Sequence, residues 1–215
     1  MLPLFGKVAL LLMCCMLVGG VGTYVGRGIR TLGAFIGLSI LFIGGAIGVF
    51  LAASAHPAIG ISLLMAWTFV SGLLLGPAIA MYVERLGWQT VCLAYVGTGG
   101  VMAVCGAIGA LSGINFSFLG GILFLALFGL VIFGVIGIFV RMSRQVNIVH
   151  SLIGMVVFAG YFIFDFWRLS VSENSWEAAI RLTMSLYLDF INFLLYLLQF
   201  LAETQKSSAA MIWFS

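Results

Sequence analysis

Charge is what this sequence has least of. Nine Lys or Arg and six Asp or Glu make up 7% of its 215 residues, where a soluble domain carries about 25%. A chain so poor in charge cannot cover itself with a polar surface. With 64% hydrophobic residues and a mean hydropathy of +1.28, it must be embedded in a membrane. No nucleic-acid partner is expected of it. Cysteine is also sparse. Cys14 and Cys15 are adjacent, Cys92 and Cys105 lie 13 apart, no CxxC occurs, and neither histidine is near any of them. That pattern argues against a zinc or redox site and favours free thiols acting as small hydrophobes. Polar/apolar alternation of the kind that marks a transmembrane β-barrel is missing too.

What the sequence does have is long apolar runs. They fall at Leu4–Val25, Leu32–Ala55, Ala58–Met81, Trp88–Leu111, Phe118–Val140, Ile148–Trp167 and Ala178–Leu201. Each is close to the roughly 20 residues an α-helix needs to cross the hydrocarbon core. The expected fold is an all-α integral membrane protein, one seven-helix transmembrane domain over residues 1–215. The first run could also begin a secretory signal, since Lys7 precedes its apolar core. Its length, the missing A-x-A site and the six runs after it favour a first transmembrane helix.

The 28 glycines fall inside these runs. Gly22/Gly26, Gly33/Gly37, Gly44/Gly48 and Gly109/Gly113 form small-xxx-small pairs, the notches through which membrane helices approach closely. Gly20-Val-Gly22 lacks the strand and βαβ setting of a dinucleotide fingerprint. His56-Pro57 reads as a turn with proline opening the third helix, where its missing N–H costs nothing. Pro77 lies inside a span and should release the carbonyl of Leu73 and kink the helix, either as plain structure or as a gating element. His150 reads as a solvated or capping residue at an interface, with a proton relay as the alternative. Tyr82, Trp88, Trp167, Trp176 and Trp213 sit near span ends, as interfacial aromatics do.

Two acids break the apolar pattern. Asp189 interrupts Ser185-Leu-Tyr-Leu-Asp-Phe-Ile-Asn-Phe-Leu-Leu-Tyr, and Asp165 lies one hairpin upstream in Tyr161-Phe-Ile-Phe-Asp-Phe-Trp-Arg. A carboxylate at such depth costs roughly 2.5–3.5 kcal/mol, so it is usually functional and partnered. In a symmetric hairpin the two would face each other only if the turn centred on residue 177. The polar stretch centres nearer 174 or 175, an offset of about five residues and a depth mismatch on the order of 7–8 Å. Contact is thus allowed without being forced. If they meet, one carboxyl keeps a proton and bonds to the other, and the pair titrates in two separated steps. Stripped of that proton, the pair repels itself and offers hard oxygens to a cation such as Ca²⁺. The plainer alternative pairs Asp165 with Arg168, three residues on along the same face.

Three segments resemble the Bax inhibitor-1 family, also called the transmembrane Bax-inhibitor-motif family, and its bacterial members most. They are Thr68-Phe-Val-Ser-Gly-Leu-Leu-Leu-Gly-Pro-Ala, Phe162-Ile-Phe-Asp and Ser185-Leu-Tyr-Leu-Asp-Phe-Ile-Asn-Phe-Leu. The resemblance implies a bundle with a central C-terminal helix in a bacterial plasma (inner) membrane. It also implies a pH-sensitive calcium leak channel whose paired aspartates are Asp165 and Asp189, serving as pH sensor and Ca²⁺ site. No resident cofactor is implied, Ca²⁺ passing only transiently. Two departures stand out. Where close bacterial relatives carry a latching arginine after the second helix, this chain reads Ala53-Ser-Ala-His-Pro, which leaves His56 as the candidate substitute and Arg168 as the nearby permanent cation. The glutamate that some members place in the second span is absent from Leu38-Ser-Ile-Leu-Phe-Ile-Gly-Gly.

The competing reading is a non-conducting regulator that binds a membrane-anchored protease or another membrane partner. Catalysis is not expected: HExxH, a serine–histidine pairing and the paired-aspartate motif of intramembrane proteases are all missing from the sequence. Loop charge leaves orientation open. Lys7, Arg168 and Arg181 on one side against Arg27, Arg30, Arg85, Arg141, Arg144 and Lys206 on the other favour a cytoplasmic C-terminus, while the resemblance favours a cytoplasmic N-terminus. Either way, seven spans put the termini on opposite faces. A reporter active on one side only, fused in turn to each end, should therefore read oppositely; equal readings would mean an even number of crossings.

Overall fold

A computed structural model describes residues 2–212, with side chains described for all of these except 138 and 206–212. Trp213 and the side chain of Lys206 therefore lie outside the described residues. Seven helices follow one another: α1 (Leu4–Gly26), α2 (Leu32–Ala55), α3 (Pro57–Leu86), α4 (Trp88–Leu111), α5 (Leu119–Phe139), α6 (Arg144–Val171) and α7 (Trp176–Ile212). All seven are long and apolar enough to cross a membrane, and no strand occurs among the described residues. The architecture is an all-α, multi-pass membrane protein.

The helices outrun the apolar runs mainly where polar residues continue them. α3 extends beyond Met81 through Glu84 and Arg85, and α6 begins at Arg144 before its apolar run starts. Hydropathy marks the lipid-crossing stretch, whereas helical hydrogen bonding carries on into the interface. Breaks are short and governed by backbone chemistry. His56 is extended (φ −155°, ψ 123°), as a residue before proline must be, and Pro57 opens α3. Gly87 (φ 83°) alone separates α3 from α4, and Gly113 (φ 70°) follows the end of α4. Both positions favour glycine because a Cβ is strained there.

The chain divides into two compact units. The first holds α1, α2, α3 as far as Met81, and Val171–Tyr187. The second holds the rest of α3, α4, α5, α6 as far as Ser170, and α7 from Leu188. In the first, Leu64, Trp67, Ile180, Leu186 and Tyr187 are almost fully buried. In the second, Phe158, Phe162 and Leu198 fill the same role. Buried hydroxyls bond to carbonyls of their own helix: Thr183 to Ala179 at 2.7 Å, Thr98 to Ala94 at 2.8 Å and Ser151 to Asn147 at 2.7 Å. Lipid offers no alternative partner, so this internal satisfaction is obligatory.

The glycines sort into two classes. On α1, a Cβ at Gly22 would strike the Phe69 carbonyl and one at Gly26 the Leu73 carbonyl, while Gly72 and Gly76 of α3 are blocked in turn by the α1 backbone. Gly72 and Gly76 thus serve close packing of α3 against α1. The carbonyl that Pro77 releases, that of Leu73, sits where a Gly26 side chain would be. Around Gly33, Gly37, Gly44 and Gly48 of α2 nothing among the described residues comes within 4 Å, so these pairs are not intramolecular notches as expected. Gly113 is likewise a turn residue, and Gly109 alone of its pair packs, against the Ile163 carbonyl. Substitution separates the two classes. Gly72→Ala should cost about 1–3 kcal/mol through overpacking. Gly44→Ala should stay within about 0.5 kcal/mol. Thermal unfolding in detergent measures both, and equal losses would contradict the assignment.

Candidate functional site

α6 and α7 are joined by residues 172–175. A symmetric hairpin with that turn would set Asp165 opposite Leu182. Instead the Asp165 and Asp189 carboxyls lie in side-chain hydrogen-bond contact. The slip amounts to seven residues, about 10 Å along a helix. Within the second unit, α7 meets α6 from Leu188 onward. Spacing alone could not disclose this. The register continues along the pair: the Phe162 and Phe193 rings lie 5.8 Å apart and those of Phe158 and Tyr196 5.9 Å.

The two carboxyls are shut away, Asp165 1% and Asp189 5% exposed. Oδ2 of Asp189 is buried and, among the described residues, accepts no hydrogen bond from a fixed N–H or hydroxyl donor. Its neighbour is another carboxyl. Two carboxyls bond only when one of them carries a proton to donate. Arg168 Nη1 donates to Asp165 Oδ1 at 3.1 Å, so Asp165 holds both of the partners the sequence offered as alternatives. The Arg168 side chain is 41% exposed, and its guanidinium rests over the Phe164 ring at 5.7 Å. Tyr161, one turn below Asp165 on α6, is close enough for its hydroxyl to feel both acids.

Asp165, Asp189 and Arg168 are thus brought together within the second unit. His56 and Pro77 belong to the first, where His56 is an exposed residue closing α2 and Pro77 lies within α3. Ser54, two residues before His56, is already engaged. Its Oγ donates to Glu177 Oε1 at 3.1 Å and accepts from Arg181 Nη2 at 2.8 Å. Arg181 also pairs with Glu177 at 2.8 Å and stacks over Phe50 at 3.9 Å. This cluster went unread in the sequence, although the i,i+4 spacing of Glu177 and Arg181 signalled half of it. Lys7, expected as a loop charge, is buried, with its Nζ over the Trp176 ring at 4.9 Å and near the Asn174 carbonyl at 3.5 Å. His150 is neither solvated nor a cap. Its ring stacks on Phe133 at 4.4 Å and meets Tyr196 edge-on at 5.3 Å, because α6 starts four residues earlier than its apolar run suggests.

Comparison with known proteins shows a family. A family model described as inhibitor of apoptosis-promoting Bax1 matches residues 4–206. Over 173 residues, 80% of this chain, the sequence is 32% identical to Bax inhibitor 1 of Schizosaccharomyces pombe, covering 61% of that protein. Over 92 residues, 43% of the chain, it is 41% identical to the Golgi anti-apoptotic protein of vaccinia virus, covering 38% of it. Over 97 residues, 45% of the chain, it is 35% identical to LIFEGUARD 3 of Arabidopsis thaliana, covering 39% of it. The matched stretch thus spans less than two thirds of the length of each of these relatives.

Because Asp165 is buried and Arg168 half-exposed, their coupling should exceed that of a surface pair. A double-mutant cycle on thermal stability with Asp165→Asn and Arg168→Gln should return about 1 kcal/mol, declining as salt is raised. Strictly additive effects would show that the pair is not energetically joined.

Proposed function

The chain belongs to the Bax inhibitor-1 family, and from that premise we propose that it is a passive, proton-gated cation leak with Ca²⁺ as its cargo. The observation that carries this reading is the burial of two carboxyls against each other, with Arg168 beside them. With one proton between them the acids form a clasp joining α6 to α7, and the single negative charge left is offset by Arg168. When that proton leaves, two like charges face each other in a low dielectric, where repulsion is far stronger than in water. The clasp opens, and four carboxylate oxygens are offered to a cation. Ca²⁺ prefers six to eight oxygens, so this pair holds it loosely, as suits passage more than storage. A half-exposed Arg168 supplies in the same helix part of what a latching arginine supplies in relatives.

The motifs that resemble those of bacterial members support placing this multi-pass protein in a bacterial plasma membrane. A second reading, a non-conducting regulator that binds a membrane partner, draws support from relatives named as inhibitors of Bax or of apoptosis. Ion flux separates the two, because a leak conducts in liposomes containing this protein alone.

The test is Ca²⁺ entry into proteoliposomes between pH 5 and 8. Acid keeps the shared proton in place, so flux should be low there and rise as the pH increases. Asp189→Asn keeps shape and hydrogen bonding but cannot gain the second charge. Its flux at the upper end should fall by about tenfold, the equivalent of ~1.4 kcal/mol of lost charge interaction, and its pH dependence should flatten. A pH response unchanged in Asp189→Asn rules the acid pair out as the sensor.

A further inference from the structure

Beyond the acid pair, α7 keeps one polar face. Asp189, Asn192, Tyr196, Gln199 and Glu203 follow at steps of three, four, three and four, which on a helix places them in one narrow stripe. α6 runs antiparallel with a matching series: Asp165, Tyr161, then Gly154, Ser151 and Asn147. The two stripes meet at three depths within the second unit. Asp165 touches Asp189 at one end, Tyr196 packs against Phe158 and Gly154 in the middle, and Arg144 Nε donates to the Glu203 carbonyl at 2.8 Å at the other end. Seven residues separate Asp189 from Tyr196 and seven more lead to Glu203. The stripe is thus about 21 Å long, most of the roughly 30 Å hydrocarbon thickness.

Polar side chains within transmembrane helices mark ion and proton routes. Halfway along the stripe stands an aromatic ring. There the Tyr196 ring is held by Phe158 at 5.9 Å and His150 at 5.3 Å, and it lies so close to Gly154 that a methyl on that glycine would sit 2.5 Å from the ring. Gly154 has no other reason to be glycine, since its backbone is ordinary helix. Behind His150, an apolar cavity of about 460 Å³ between α5 and α6 is bordered by Leu130, Phe133 and Ile153. It gives the His150 ring somewhere to move when its neighbour swings.

Resting on the cation-leak reading, we propose that Tyr196, seated in the notch of Gly154, is a steric gate in series with the acid pair. The acids decide whether a cation is admitted to the seam. The ring decides how fast it crosses. A hydrophobic ring closing a narrow polar route excludes water and ions simply by occupying the space.

The two elements are separable in proteoliposomes loaded with a Ca²⁺ indicator and, in parallel, with an impermeant anionic dye. Tyr196→Ala should raise Ca²⁺ flux several-fold at the permissive, higher pH while leaving the midpoint of the pH profile where the wild type has it. Tyr196→Phe keeps the ring and should match the wild type. Gly154→Ala pushes the ring out of its seat and should raise flux as Tyr196→Ala does, which keeps the idea testable should either variant fail to fold. In an Asp189→Asn background Tyr196→Ala should restore nothing, because entry is still blocked. The gate is overturned if Tyr196→Ala conducts like the wild type at every pH, if Tyr196→Phe leaks as much as Tyr196→Ala, or if the dye escapes along with Ca²⁺. A wild type that does not conduct at all removes the leak reading and the gate together, whereas a pH-dependent wild type with an indifferent Tyr196→Ala removes the gate alone.

Discussion

Everything distinctive in this molecule depends on one constraint: a charge inside lipid has to find its partner within the protein. Water would solvate Asp165 and Asp189 separately, and a hydrocarbon medium does not. The chain answers by placing the acids against each other and setting Arg168 against one of them at 3.1 Å. That answer dictates the register of α6 on α7, which departs from the one their short turn would give. On the proposed reading, the number of protons on the pair is a structural variable: with the proton bound two helices are joined, and without it they carry like charges at contact.

The remaining polarity obeys the same rule by other means. Buried threonines and serines return their hydroxyls to carbonyls one turn back, as Thr98 does to Ala94 at 2.8 Å. Lys7 lays its ammonium over Trp176, and Arg181 shares Ser54 and Glu177. Close backbone contact takes the place of hydrophobic drive, which lipid cannot supply. α1 and α3 meet through glycines so nearly that main-chain carbonyls stand where side chains would be. α2 buries only Val49 and Ala53 among its described residues and presents a long apolar face of the kind a bilayer covers.

How far the sequence foretold this depends on the range of the interaction. The seven helices were legible because each apolar run is a local property, and α2 and α4 run between the same residues as their apolar stretches. The opening of α3 was legible as well, since Pro57 fixes its own backbone and that of His56. The glycine pairs misled on α2, because small-xxx-small spacing describes a notch without naming a partner. His150 was misjudged for a related reason: where a helix continues through polar residues, hydropathy misplaces its start, and so misplaces the depth of every residue near that end. Arg168 beside Asp165 was a local, i,i+3 expectation. The meeting of Asp165 and Asp189 was compatible with the spacing but not dictated by it, since the contact lies seven residues from the register that a symmetric turn over 172–175 would give. The Ser54–Glu177–Arg181 cluster joins residues more than 120 positions apart and left only its local half in the sequence.

The account stands on a proton shared between two buried acids, and infrared spectroscopy of the protein in lipid reads that proton directly. A difference spectrum between acidic and alkaline buffer should contain a protonated-carboxyl band that vanishes over the same pH interval in which Ca²⁺ flux appears. Substituting Asp189→Asn should remove or displace that band. A wild type without such a band, or one whose band persists unchanged through the interval of rising flux, would contradict the shared proton and the gating built on it.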